Sequence, residues 1–140
     1  MIWSQKPDLE KLNQFCQNTM CESLGIRFTE IGENYLLATM PVDQRTKQPM
    51  GLLHGGASVA LAETLGSVAS AFCVRDSSKT PVGIEINANH LKSARSGLVT
   101  GKVTSLKLGQ SLHVWNIEIH NEAHELICAC RLTVMIVDKK

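Results

Sequence analysis

With 140 residues, 44% hydrophobic and 19% charged, the chain has the make-up of a single domain with one substantial core, which excludes disorder. Its formal charge of +1, from 14 Lys plus Arg against 13 Asp plus Glu, excludes a chain-wide basic field that would recruit nucleic acid or an anionic membrane. The N-terminus "MIWSQKPDLEKLNQF" has no apolar stretch of signal-peptide length and no segment approaches a membrane span, so the expectation is a cytoplasmic protein.

In chain order, Asp8 is placed to cap a short helix carrying Leu9, Leu12 and Phe15 on one side. "IRFTEIGENYLLATMPV" reads as two strands around a Gly32-Glu33-Asn34 turn. Residues 43–53, with Pro49 and Gly51, read as a polar loop. A long, nearly all-apolar helix follows, from about His54 to Arg75 and about 30 Å long at 1.5 Å per residue.

Beyond it the pattern changes to strand. "TPVGIEINANHL" alternates Ile84, Ile86 and Ala88 against Glu85, Asn87 and Asn89. "GLVTGKVTSLKL" is next, and "SLHVWNIEIH" then puts Trp115, Ile117 and Ile119 on one face. "LICACRLTVMIV" is apolar on both faces and predicts a covered, central strand. No repeat or linker divides residues 1–140. The fold class expected is α+β, with a sheet of about six strands wrapped around the one long helix, since only the sheet or a second subunit can bury so apolar a helix.

Cys16, Cys21, Cys73, Cys128 and Cys130 are odd in number and lie mostly in predicted helix or strand, which favours reduced thiols. Cys128 and Cys130 share a strand face and read as small hydrophobes. C-x-C without a second ligand pair is not zinc spacing, so no metal site is expected.

The long helix carries one carboxylate, Glu63, among Ala, Val, Leu, Ser and Gly. At 100° per residue one stripe collects Gly56, Val59, Glu63, Gly66, Ser67 and Ser70: an acid, two hydroxyls and small residues that leave room beside the acid. Either this stripe is a solvent edge, or the carboxylate has chemistry to perform; so apolar a helix favours the second. His54, Gly55 and Gly56 open the helix, where the first N–H groups lack internal partners and can hold an anion or an oxyanion. Gln48, just upstream, can donate to a carbonyl. Gly55 and Glu63 are eight residues apart, about 12 Å along the axis, so one carbonyl cannot touch both within a chain. If both serve one reaction, a two-fold dimer must bring Gly55 of one subunit to Glu63 of the other.

"QPMGLLHGGASVALAETLGS" closely resembles the signature of hotdog-fold acyl-CoA thioesterases of the hydroxybenzoyl-CoA thioesterase type. "ATMPVDQRTKQP", "GIEINANHLKSARSG" and "LKLGQSLHVWNIEI" extend the resemblance over essentially the whole chain, toward the branch of dihydroxynaphthoyl-CoA hydrolases and enterobactin-pathway proofreading thioesterases. The resemblance implies a hotdog fold, an antiparallel sheet around a central helix, paired into homodimers and often dimers of dimers. It implies that Glu63 is nucleophile or general base, that Gly55 supplies the oxyanion N–H, that His54 and Gln48 orient the thioester, and that Ser67 assists the water or leaving group. It places coenzyme A contacts on His90, Leu91, Lys92 and Ser93, on Lys107, Leu108, Gly109, Gln110, Ser111 and Leu112, and near Gly83. No metal or redox cofactor is implied; coenzyme A enters as part of the substrate.

Lys92, Arg95 and Lys107 offer cations for phosphates, although a loop lysine is as readily a solvated surface cation. Met50 stands where the branch has Phe, and Lys92 where Arg is common. The expected activity is hydrolysis of aryl-CoA thioesters such as 1,4-dihydroxy-2-naphthoyl-CoA, in menaquinone synthesis. The alternatives are proofreading of misacylated aryl carrier protein, with an acyl carrier protein as partner, and non-catalytic acyl-CoA binding.

Overall fold

The computed structural model describes residues 1–140. Asp8 caps α1 (Leu9–Phe15), accepting from Lys11 N–H at 2.9 Å. A four-residue helix α2 (Met20–Ser23), capped by Thr19, follows. Strands β1 (Arg27–Ile31) and β2 (Tyr35–Pro41) pair across the Gly32-Glu33-Asn34 turn, as the alternation predicts. The long helix α3 spans Gly55–Cys73, and β3 (Lys79–His90), β4 (Leu98–Leu108), β5 (Leu112–His120) and β6 (Leu126–Asp138) complete the chain. All neighbours are antiparallel, in the order β1-β2-β4-β5-β6-β3, so β1 and β3 are the open edges. Pro81 in β3 fits an edge strand, where a missing N–H costs no ladder bond.

The sheet curls around α3. Leu61, Ala62, Leu65 and Ala69 on the helix, with Leu36, Met40, Val103, Trp115, Ile117 and Leu132 from the strands, are wholly buried. Each large side chain in that layer contributes about 1.5–3 kcal/mol. Helix and sheet approach closely where a glycine on one makes room for a leucine on the other: a Cβ on Gly101 would stand 2.6 Å from Leu65 Cδ1, and one on Gly66 would drive into Leu132. The polar atoms of this layer are paired, for Trp115 Nε1–H donates to Ser70 Oγ at 2.6 Å and His113 Nδ1 lies 3.2 Å from the same oxygen.

Several expectations need correction. Phe15 is 79% exposed rather than packed beside Leu12, because α1 ends there with nothing of this chain above it. Val74 and Arg75 lie beyond the helix, whose C-cap backbone is already extended at Val74. β6 is paired on both sides, yet it lies next to the β3 edge and its outer face is open, with Met135 44% exposed. The alternation of β3 breaks at a bulge: Gly83 opposes Val134 and Glu85 opposes Thr133, leaving Ile84 as the extra residue, 53% exposed. That bulge turns Gly83 instead of Ile84 toward α3.

Candidate active site

The loop before α3 is held at both ends. Thr46, buried, donates its hydroxyl to Pro41 C=O at 2.6 Å, and Leu53 N–H donates to Ala94 C=O at 2.8 Å, which ties the loop to the segment after β3. Gln48 Oε1 accepts from Met50 N–H, while its NH2 makes no hydrogen bond within the chain. His54 is the N-cap: its Nδ1 accepts from Gly56 N–H at 2.7 Å, and its C=O accepts from Ala57 N–H at 3.0 Å. Gly55 N–H is the group of the first turn left without a partner, at the positive end of a 19-residue helix. Met50 is 79% exposed at the tip of this loop.

Two turns on, Glu63 is half-buried and makes neither hydrogen bond nor ion pair within the chain. Its Oε1 would be 3.0 Å from a Cβ on Gly83, so the bulge of β3 supplies the space the carboxylate occupies. A cavity of about 400 Å³ opens beside it, walled by Met20, Leu24 and Ile26 on one side and Ala60, Glu63 and Ser67 on the other. A largely apolar cavity with one acid and two hydroxyls at its wall can receive an acyl group and present its carbonyl carbon to the acid. Ser67 thus shares the cavity of Glu63. The rest of the predicted stripe divides: Gly66 and Ser70 are buried against Leu132 and Trp115, and neither leaves room for a ligand. Thr64, which sequence reading passed over, lies in the same cavity wall and donates to Ala60 C=O at 2.7 Å.

The residues expected to hold coenzyme A fall in two places. His90 ends β3 with its ring over Gly55, and Leu91, Lys92 and Ser93 follow, all exposed. The Lys92 ammonium pairs with Glu125, and the pairing holds the Glu125 carboxyl below the usual carboxylate range. Lys107 to Leu112 form the β4–β5 turn at the other end of α3, where Leu108, Gly109, Gln110 and Ser111 line a cavity of about 800 Å³ with Arg75 and Lys79. Lys79 is paired with Asp138 at 2.6 Å, and Arg75 is a cation that the sequence reading did not single out. The structure therefore joins Gln48, His54, Gly55 and His90 at the N-terminal end of α3, Glu63, Ser67 and Gly83 at its middle, and the 107–112 turn at its C-terminal end, about 28 Å away at 1.5 Å per residue. The larger cavity is not the one beside the acid.

The model of the thioesterase superfamily matches residues 50–128, more than half the chain and the stretch that carries α3 and its first turn. The 1,4-dihydroxy-2-naphthoyl-CoA hydrolase of Escherichia coli is 54% identical over 137 residues, 98% of this chain and all of the relative. The proofreading thioesterase EntH of Cronobacter sakazakii is 47% identical over 98% of this chain and 99% of its own. Among solved structures, the thioesterase HI1161 of Haemophilus influenzae superposes with a TM-score of 0.95 at 49% identity, covering 99% of this chain and 96% of its own. The chain accordingly belongs to the thioesterase superfamily, and it is a hotdog-fold thioester hydrolase.

Proposed function

We propose that the protein hydrolyses acyl-CoA thioesters with an aromatic acyl group, 1,4-dihydroxy-2-naphthoyl-CoA first among them, in the cytoplasm. The observation that carries this reading is the unpartnered Glu63 carboxylate beside an apolar cavity, together with the relative that acts on that thioester. As general base, Glu63 takes a proton from water while the water oxygen attacks the thioester carbonyl carbon. As nucleophile, it attacks that carbon itself and the acyl-enzyme is then hydrolysed. In both routes the carbonyl oxygen gains charge that Gly55 N–H can stabilise, Gln48 NH2 and His54 orient the thioester, and Ser67 stands one turn from the acid to assist the water. The C–S bond breaks; in the first route the leaving thiolate takes up the proton that Glu63 received, and in the second it takes one from solvent, balanced by the proton released when water hydrolyses the acyl-enzyme. Neither route calls on a metal or redox cofactor, so activity should survive exhaustive dialysis against EDTA.

The reading includes a shared site. Gly55 and Glu63 are about 12 Å apart along α3, and the two coenzyme A segments are at opposite ends of the same helix. β3 has an open edge with Val82 and Ile84 45% and 53% exposed, the kind of edge that a second copy completes by antiparallel pairing. A two-fold dimer, alone or doubled, brings the N-terminal end of one α3 toward the other subunit's Glu63 and 107–112 turn. Mixing Glu63→Ala subunits with Gln48→Ala subunits tests this. Exchange of two inactive proteins should restore up to about a quarter of full activity, since half the dimers are mixed and each mixed dimer has one intact site. Demonstrated exchange with no recovery overturns the shared site.

The similarity to EntH favours one second reading, in which the thioester belongs to a misacylated aryl carrier protein. A panel of aryl-CoA, short acyl-CoA and aryl carrier-protein thioesters, followed by thiol release, separates the readings. Faster release from aryl-CoA is the expected result, preference for the carrier protein would favour proofreading, and binding without release from any would mean a non-catalytic acyl-CoA protein.

A further inference from the structure

The first turn of α3 has a neighbour that the proposed chemistry leaves unused. His90 lays its ring over Gly55, where a Cβ would stand 2.9 Å from Nε2 and 3.0 Å from Cε1. The other ring nitrogen, Nδ1, lies 3.6 Å from Cys128 Sγ, since His90 and Cys128 are direct partners in the β3–β6 ladder. Cys128 Sγ is in turn 3.5 Å from Cys130 Sγ, and the two thiols are 1% and 3% exposed. A buried thiol hydrogen is a weak donor, and the acceptors within its reach here are few. The chain has one direction that satisfies every member: Cys130 donates to Cys128, and Cys128 donates to the imidazole.

A neutral imidazole that accepts at Nδ1 carries its hydrogen at Nε2. We propose that Cys128 is a positioning residue whose thiol donates to His90 Nδ1, fixing the tautomer that presents Nε2–H at the first turn of α3 beside the unpartnered Gly55 N–H. This rests on the reading of Gly55 as the oxyanion donor and deepens it. A thioester oxygen arriving at Gly55 then meets two donors rather than one, and the opposite tautomer would meet it with a lone pair. The donor order also gives the paired cysteines of β6 a task beyond packing.

The test uses the full chain. Long-range 15N–1H correlation of the imidazoles, with the His90 signals assigned by their loss in His90→Gln, reads the tautomer directly. The expected result is Nε2–H in the parent protein, a mixed or Nδ1–H pattern in Cys128→Val, and a return to Nε2–H in Cys128→Ser, whose hydroxyl can still donate. With aryl-CoA substrate, Cys128→Val should lower kcat by about tenfold, below the 10²–10³ lost when an oxyanion donor is removed outright, with little change in KM. Cys128→Ser should recover most of it, and Cys128→Val should have no further effect in the His90→Gln background. An Nδ1–H tautomer in the parent protein overturns the proposal even if Cys128→Val does not fold. So does a folded Cys128→Val with parental tautomer and kcat. If no thioester is hydrolysed while His90 holds Nε2–H, the reading of the site fails and the thiol's hold on the ring stands.

Discussion

The two faces of α3 treat polar groups in opposite ways. Toward the sheet, Ser70 is wholly buried and its hydroxyl is shared by Trp115 Nε1–H and His113 Nδ1, so nothing polar is left over. Toward the β3 edge and the N-terminal loop, Glu63, Gly55 N–H and Gln48 NH2 have no partner within the chain. Packing demands satisfaction wherever water is excluded for good. Groups left unpaired at a cavity mouth are free to pair with a substrate, and they concentrate on one side of α3 and in the loop that precedes it. The comparison predicts that substitutions on the first face cost stability and those on the second cost activity.

Glu63→Gln gives the sharpest break. The amide keeps the shape and cannot take a proton or attack, so kcat should fall by at least about 10²-fold, the low end for losing a general base. Thermal unfolding should show a Tm no lower than the parent's, because no ion pair or hydrogen bond within the chain is lost. A folded variant with near-parental turnover would make the acid structural and erase the contrast between the faces.

Ser70→Ala is the reciprocal experiment. It strands the buried Trp115 N–H, a loss of about 1–3 kcal/mol. At a fixed protein concentration Tm should drop by about 3–10 °C, with kcat per folded site within twofold. A tenfold loss of kcat at unchanged Tm would put Ser70 on the functional side after all.

A smaller effect is expected at the cations. Lys107→Ala should raise KM about three- to fivefold with kcat nearly unchanged, because a phosphate contact that persists into the transition state affects binding alone. Lys92→Ala should do less, about twofold, since its ammonium already pairs with Glu125 and trades one partner for another. Both effects should shrink in high salt. An unchanged KM for both variants returns the lysines to the solvated surface.

Much of this contrast was legible in the sequence, and the parts that were not share a cause. Local pattern carries β5, where Trp115, Ile117 and Ile119 alternate without interruption, and it carries Glu63 as the lone acid of an apolar helix. It misplaces Ile84 because a bulge shifts the register by one residue, and no period-2 reading can foresee which face Gly83 then takes. Whole-helix angles group Ser70 with Glu63, but the sheet curls far enough around α3 to bury one edge of that stripe and spare the other. The contact of His90 with Cys128 lies in the register of two strands 38 residues apart, which nothing local encodes. Helix α2 is four residues long, too short for a periodic signal, yet it forms one wall of the cavity beside Glu63.

The smallest expected effect belongs to His113, on the satisfied face. Its burial beside Ser70 pushes the imidazole pKa below the ordinary value of about 6.5. Between the folded and unfolded values the unfolded chain binds more protons, so stability rises with pH across that window. The contribution is fully present above about pH 6.5 and is lost as pH falls from there through the folded pKa. The lowered carboxyls of Asp43, Asp76 and Glu125 release their own contributions only at more acidic pH, below the interval between about pH 7.5 and 5.5 in which His113 acts. Urea midpoints recorded across that interval should decline toward acid, with a slope bounded by about 1.4 kcal/mol per pH unit for one proton. His113→Gln, which can still hydrogen-bond Ser70 but does not titrate, should flatten the decline. Equal slopes for the two proteins would mean that the ring beneath the C-terminal half of α3 takes up its proton without cost, and that this face is less sealed from water than its hydrogen bonds imply.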